Sequence, residues 1–347
     1  MAALMTAAAA FTGCSAEKKE EIAYVPPEVG RYENPIEIEG QWGASDATGP
    51  DGQYGIGDPF VMRYNGKYYL YPSTSDPCDG IKVFESDDLV NWTYRGYAVS
   101  DSEATSHGAY APEVVYYNGC FYLCQSRGGN GHYIYRSESP TEGFELISTS
   151  ARGEGGTANL DHWIEGPGIF RRCGFSYLTY TGNHVLSSGY RVGYSYAEDL
   201  TDLSSFIQPA DNVTIIDTDA EHRGLGHASN FNGPDLDSVY TAYHSLVGRG
   251  PARRYNLDRY FASGSILTAN GVTHRPVAVP AAPDKGGYAE ALRRSGGAYV
   301  FGETDGYFTA EYNFVPSDEQ EIFFGRTENA EYTVRAAGGK ISLTLTP

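Results

Sequence analysis

Past its first two dozen residues the chain alternates apolar and polar positions with a period of two, in short runs broken by Gly, Asn, Asp and Pro. That is the pattern of half-buried β-strands joined by tight turns. One phrase recurs: "DPFVMRYNGKYYLYPST" from Asp58, "APEVVYYNGCFYLCQS" from Ala111 and "EGPGIFRRCGFSYLTYTG" from Glu165. Each copy reads as a strand, a turn at Asn-Gly or Cys-Gly, and a second aromatic strand, which predicts a β-hairpin. Pro59, Pro112 and Pro167 mark the same point in each, and a degenerate fourth copy, "GHASNFNGPDLDSVYTAYHS", starts at Gly226. Further strands such as "GIKVFESDDLVNWTYRG" and "GHYIYRSESPTEGFELI" lie between the copies.

Four strands in a unit of about 40 to 50 residues predict an all-β chain with the blades of a β-propeller. Such a fold sets the start of each blade's inner strand around one axis. Asp58, Glu113, Glu165 and His227, far apart in the chain, are thereby expected to converge.

Composition agrees with that class. Tyr (29) and Gly (42) are abundant, as expected of an all-β chain with many turns. A net charge of -19 works against nucleic acid or an anionic membrane surface as a partner, whereas a neutral sugar is indifferent to it. Cys78, Cys120, Cys124 and Cys173 match no zinc spacing, and Cys120 and Cys124 on one strand face are too far apart to bond, so buried free thiols are expected.

The phrases "GDPF", "APEVVYYNG", "EGPGIF", "YTGNHVLSSGYRVGYS" and "GHASNFNGPDLDSVYTAYHSLVGRGP" together resemble glycoside hydrolase family 43 over roughly residues 50 to 283. The resemblance implies a five-bladed propeller acting on arabinose- and xylose-containing plant polysaccharides of the arabinan, arabinoxylan or xylan type. It makes Asp58 the general base and Glu165 the general acid. With two such carboxylates about 6.5–9.5 Å apart, hydrolysis proceeds with inversion. The chemistry needs no metal or organic cofactor; a structural Ca2+ held through water at His227 is one reading of the resemblance.

The chain departs from that family at one place. Members carry a further blade between the "APEV" and "EGP" phrases, and it holds a middle Asp that orients and tunes the acid. Here "FELIS" leads through "TSARGEGGTANLDHW" to "IEGP", so the third blade is expected to be deleted and its carboxylate missing. Asp161 is the nearest substitute; as a loop Asp it equally makes a turn hydrogen bond. A Glu without its tuning neighbour is expected to ionise like a free one and to be a poorer acid. A catalytically impaired glycan-binding relative and a deletion fragment are therefore the alternatives to an active hydrolase.

Further candidates each have an ordinary reading beside the functional one. Asp58 could be a plain Asp-Pro turn cap. Glu113 is either structural or a substrate contact. His227 is either an axial pocket residue or a satisfied core histidine. Arg253 and Arg254 either reach the sugar or lie in a solvated turn. Trp163, His184 and Tyr180 are placed near the mouth, whereas Trp92 and the aromatics of "NGKYYLY" are core.

The ends give the domain expectations. Residues 1–22 read as an export signal with a lipobox-like "FTGC", which would lipidate Cys14 and hold a monomer at a bacterial cell surface or in the periplasm. Residues 23–283 form the propeller domain. After the linker "PVAVPAAPD", residues 284–347 alternate like part of a β-sandwich.

Overall fold

The structure is a computed structural model that describes residues 30–42, 54–74, 80–100, 108–150, 164–200, 202–269 and 271–281, with short strands at 293–295, 298–300, 319–324, 331–337 and 340–346. Cys14, Cys78, Asp161 and Trp163 lie outside the described residues. Four four-stranded antiparallel sheets stand side by side as blades. After a short β1 (Arg31–Tyr32), blade 1 is β2 (Gly57–Tyr64), β3 (Lys67–Ser73), β4 (Ile81–Ser86) and β5 (Thr93–Val99). Blade 2 is β6 (Ala109–Tyr117), β7 (Cys120–Arg127), β8 (Asn130–Ser137) and β9 (Glu145–Ser150). Blade 3 is β10 (Ile164–Arg172), β11 (Phe175–Gly182), β12 (Arg191–Ala197) and β13 (Val213–Ile216). Blade 4 is β14 (Gly226–Asn232), β15 (Val239–Leu246), β16 (Arg253–Ser263) and β17 (Ile266–Ala269). β18 (Val277–Ala278) then pairs with β1.

The hairpins follow from their turn residues. Asn65-Gly66, Asn118-Gly119 and Cys173-Gly174 all have positive φ at both positions, the geometry of the type I′ turn that matches the twist of two antiparallel strands. Cys173, at φ 49°, stands at such a tip and is exposed, so the expectation of a buried thiol fails there. Cys120 is buried and Cys124 half-buried, both as free thiols.

Each inner strand also carries a bulge at its start. The register shifts between Gly57 and Phe60, Tyr110 and Glu113, Glu165 and Gly168, and Gly226 and Ser229. Inside these bulges Asp58 (φ 44°), Ala111 (φ 46°), Gly166 (φ 55°) and His227 (φ 50°) are all left-handed. A bulge re-aims a side chain out of the pleat, and a strained non-Gly residue is held there only by its surroundings.

The blades pack in the order 2, 1, 4, 3. β2 lies against β6 on one side and β14 on the other, and β14 lies against β10; β6 and β10 have no comparable packing on each other. The core follows suit. One cluster, with Tyr71, Val83, Val114 and Leu123, joins blades 1 and 2. A second, with Ile36, Val61, Trp92 and Tyr255, joins blade 1, blade 4 and the N-terminal segment. Two more join blades 3 and 4, one around Val192 and Tyr243 and one around Tyr177 and Tyr260. Among the described residues no apolar cluster joins blade 2 to blade 3. Val115 and Tyr117 on β6 and Ile164 and Ile169 on β10 are all exposed. The deletion read from the sequence thus leaves four blades, with the gap between the second and third.

Beyond the propeller, β19 (Arg293–Ser295) pairs with β20 (Ala298–Val300). β21 (Glu319–Phe324), β22 (Glu331–Ala337) and β23 (Lys340–Thr346) form a three-stranded antiparallel sheet.

Candidate active site

The inner-strand bulges bring Asp58 and Glu165 to the same nitrogen of one imidazole. His227 Nδ1 lies 3.4 Å from Asp58 Oδ1 and 3.5 Å from Glu165 Oε1, ion-pair distances. The nearest oxygens of the two carboxylates are therefore no more than about 7 Å apart, a bound that admits both the inverting and the closer retaining spacing. The His227 backbone N–H donates to Thr181 Oγ1 at 2.7 Å, which fixes blade 4 against blade 3 at this point.

Asp58 is nearly enclosed, and both of its oxygens have partners. Ser73 Oγ donates to Oδ2 at 2.6 Å and Arg253 to Oδ1 at 3.1 Å. The same Ser73 hydroxyl accepts the Ala111 N–H at 2.6 Å, so the base is braced by the bulge of the neighbouring blade. Burial alone would raise the Asp58 carboxyl, but the charges of His227 and Arg253 outweigh it and hold the group well below the usual carboxylate range. Arg253 in turn lies over the Tyr54 ring, 4.5 Å from its centroid.

The histidines on either side of Asp58 differ in state. Burial lowers His227, yet Asp58 and Glu165 more than restore it, so its imidazole is pushed up toward the charged form. His244, fully buried on β15, is pushed down to about 4 by burial and then by Arg253. It is neutral, and its Nδ1 accepts the Asp58 backbone N–H at 3.0 Å. That bond and the strained φ of Asp58 together aim the carboxylate at the axis.

Glu165 receives the Tyr190 hydroxyl at 3.0 Å. Burial first and the Glu165 charge second keep the Tyr190 phenol well above its ordinary range, so it acts as a fixed donor. Its oxygen also stands 3.5 Å from His244 Nε2, with the rings stacked, so one polar network runs from Glu165 through Tyr190 and His244 to Asp58.

A cavity of about 230 Å³ runs along the axis, lined by Asp58, Phe60, Glu113, Gly168, His227 and Asn230 among others. It is below the range typical of drug-sized ligands and suits a single small ring. A second cavity of about 290 Å³ shares Phe60 and Glu113 with it and extends over Val115, Tyr122 and Ile134 of blade 2, on the side of the gap.

The structure separates the sequence candidates. Asp58, Glu165 and His227 converge as expected. Glu113 does not occupy their position: Asp58 and His227 are the left-handed bulge residues, Glu165 precedes its own, and Glu113 comes two places after Ala111, down the cavity wall. Its carboxyl is raised by desolvation and drawn back by His227. Arg253 lies in neither of the two places expected for it: it is a buried partner of Asp58. Arg254 turns away to Glu37 at 2.6 Å. His184 does not line the cavity; its Nδ1 accepts the Leu186 N–H at 3.2 Å within its own loop. Tyr180 is engaged with Asn212. Sequence reasoning missed Ser73, Tyr190 and His244. The last gave a signal, a lone His inside the apolar run "VYTAYHSL".

The described side chains around His227 form no direct calcium cage, so a calcium there would have to be held through water, as the resemblance implies. Calcium takes six to eight oxygen ligands; here the imidazole offers nitrogen toward the pair, and the Asp58 oxygens are engaged by Ser73 and Arg253.

The sequence model of Glycosyl hydrolases family 43 matches residues 51–161. A xylan 1,3-beta-xylosidase of Vibrio sp is 36% identical over 85 residues, 21% of this chain and 16% of that protein. A non-reducing end alpha-L-arabinofuranosidase of Bacteroides ovatus is 36% identical over 95 residues, 24% of this chain and 18% of that protein. The matched stretch thus spans under a fifth of either curated relative. Among solved structures, a thermostable family-43 glycoside hydrolase superposes with a TM-score of 0.57 at 23% identity, covering 72% of this chain and 99% of that one. A family-43 protein of Bacillus licheniformis gives 0.53 at 18% identity over 74% of this chain and 59% of that one. These likenesses are of fold.

Proposed function

We propose that this relative of glycosyl hydrolases family 43 is an exported glycoside hydrolase that removes α-L-arabinofuranosyl or β-D-xylosyl units from plant cell-wall polysaccharides with inversion. The supporting observation is that Asp58 and Glu165, on different blades, both lie within 3.5 Å of His227 Nδ1, beside a cavity that Asp58 and His227 line. The names of the two curated relatives, a xylosidase and an arabinofuranosidase, support the sugar class.

In this reading Glu165 gives its proton to the leaving glycosidic oxygen while Asp58 takes one from the attacking water on the opposite face of the sugar. Asp58 is ionised across the working range because two cations face it. Tyr190 orients the acid, and Arg253, Ser73 and His244 orient the base. His227 carries positive charge between the carboxylates and relieves their repulsion as they approach. The imidazole and the Tyr190 hydroxyl orient Glu165, but both favour its ionised form, so they do not supply the acid-tuning effect of the family's middle Asp.

A second reading, a glycan binder with little turnover, is favoured by one observation: both carboxylates are within ion-pair distance of the same His227 nitrogen, which favours the ionised form of each. Hydrolysis of aryl α-L-arabinofuranoside and aryl β-D-xyloside by the full chain, run beside Glu165→Gln, separates the two. Turnover reduced a hundredfold or more by Glu165→Gln supports the hydrolase, the scale expected for losing a general acid. Sugar binding without turnover supports the binder. Lipidation of Cys14 is part of the same proposal, and a shift of the chain from detergent to aqueous phase on Cys14→Ser tests it.

A further inference from the structure

Away from the axis, the loop between β13 and β14 and the segment after β17 bring Asp219, His222 and His274 together, with one potential ligand atom from each within 4.8 Å of the others. His222 is buried, while Asp219 and His274 are open to solvent. The Asp219 carboxylate is set by its own loop, Oδ1 accepting the backbone N–H of Glu221 at 2.8 Å and of His222 at 3.0 Å.

The His222 ring is oriented from behind. Its Nε2 lies 3.2 Å from the carbonyl oxygen of Asn34, an atom that only accepts, so Nε2 carries the hydrogen. Asn34 is itself locked, its side chain bonded to Leu257 and Asp258 in the core of blade 4. Nδ1 is thereby turned toward the Asp219 carboxylate, 3.0 Å from Oδ1 and 3.2 Å from Oδ2. That nitrogen and the carboxylate oxygens form a donor set that takes a cation, whether a proton or a metal ion. The His274 Nδ1 lies 3.7 Å from the same carboxylate, with its ring edge-to-face on His222 and centroids 4.2 Å apart. One proton satisfies one imidazole; two would set like charges side by side.

We propose that Asp219, His222 and His274 form a peripheral site for a divalent transition metal of the zinc type. Such an ion at about 2.0–2.2 Å from each ligand requires donors roughly 3.2–3.6 Å apart, and Asp219 Oδ2 lies 3.2 Å from His222 Nδ1 and 3.7 Å from His274 Nδ1, with all three ligand atoms within 4.8 Å of one another. Two imidazoles and one carboxylate select zinc-like ions over calcium or magnesium, which take oxygen. The carbonyl behind His222 is the outer-shell partner that a metal-bound histidine ordinarily has. The exposed pair provides the entry path, and the fourth position is left for water. The ion would clamp the link between blades 3 and 4 to the segment that leaves the last blade, over the buried Asn34. The site does not depend on the proposed glycosidase activity.

The test is zinc uptake by the untagged full chain after chelator treatment, by equilibrium dialysis and thermal unfolding. One zinc per chain and a Tm rise of roughly 5 °C at a hundredfold excess over Kd are expected, with no shift from calcium or magnesium. His274→Ala and Asp219→Asn, both at exposed positions, are expected to keep the chelator-treated Tm and to lose at least tenfold in zinc affinity. Undiminished affinity in His274→Ala would place the metal elsewhere, at the axial histidines for instance, and overturn the assignment. So would an equal response to calcium, or no stoichiometric uptake.

Discussion

The Arg253 guanidinium donates to Asp58 Oδ1 at 3.1 Å, joining two largely buried side chains 195 positions apart in the chain. The bond links the first blade to the last and also sets the charge state of the base. Arg253→Met is expected to lower stability by about 3 kcal/mol, because a buried carboxylate is left with one fewer partner. Since Arg253 helps hold Asp58 low, the acidic limb of a kcat/KM profile should move to higher pH. Urea unfolding and the pH profile check the two effects separately.

Tyr190 holds Glu165 through a single hydroxyl. Tyr190→Phe keeps the ring stacked on His244 and removes only the donor. A loss of roughly ten- to a hundredfold in kcat with little change in KM is expected, the scale of one hydrogen bond to a charged group. If KM rose while kcat held, the hydroxyl would belong to substrate binding and the positioning role would be wrong.

The parts of this fold legible in the sequence are those whose local chemistry repeats. Asn65-Gly66, Asn118-Gly119 and Cys173-Gly174 announced their hairpins because only certain residues tolerate positive φ at both turn positions. The convergence of Asp58, Glu165 and His227 was legible because each stands at the start of a repeated phrase. Glu113 shows the limit of the same logic: it lines the axial cavity with Asp58 and His227, but it comes two places after the left-handed residue of its own bulge. Tyr190 and His244 were not legible. Each reaches the site from a neighbouring strand or loop, and nothing local distinguishes a Tyr or His that bonds a carboxylate from one that fills a core.

The charge on His227 should make the site sensitive to alkali. Its pKa is raised in the folded protein above that of the unfolded chain, because Asp58 and Glu165 outweigh burial. The resulting stabilisation is fully present below about pH 6.5 and is lost as pH rises through the folded value. His227→Gln should remove that dependence. The difference in unfolding free energy between the two proteins, measured across pH 6 to 9, is expected to shrink as pH rises; a constant difference would mean that the imidazole is neutral throughout.

Asp258 gives the opposite kind of carboxylate from Asp58. It is buried on β16, accepts from Tyr243 at 2.6 Å, from Thr273 and from Asn34 at 3.1 Å, and has no guanidinium beside it. Burial raises its carboxyl to about 6 despite those bonds. A raised folded value means that the group favours folding at low pH and that this contribution is lost as pH rises from about 4 through 6. A rise of that size corresponds to about 3 kcal/mol at most. The stability advantage of the native chain over Asp258→Asn should therefore fall between pH 4 and pH 7, as followed by urea titrations at fixed ionic strength.

The gap between blades 2 and 3 predicts a contrast in how substitutions are tolerated. On a closed ring, the flank of β6 and the start of β10 would be buried against a blade, and replacing an Ile or Val there by Thr would cost about 1 kcal/mol or more. Here Val115 is 59% exposed and Ile169 51% exposed. Val115→Thr and Ile169→Thr are expected to change the unfolding free energy by less than about 0.5 kcal/mol. On the opposite flank, Val83 and Leu123 are fully buried between blades 1 and 2. Leu123→Ala is expected to cost about 2–5 kcal/mol. Equal, large losses at both flanks, read from the urea midpoints at constant m, would mean that something packs into the gap in solution and that the ring closes.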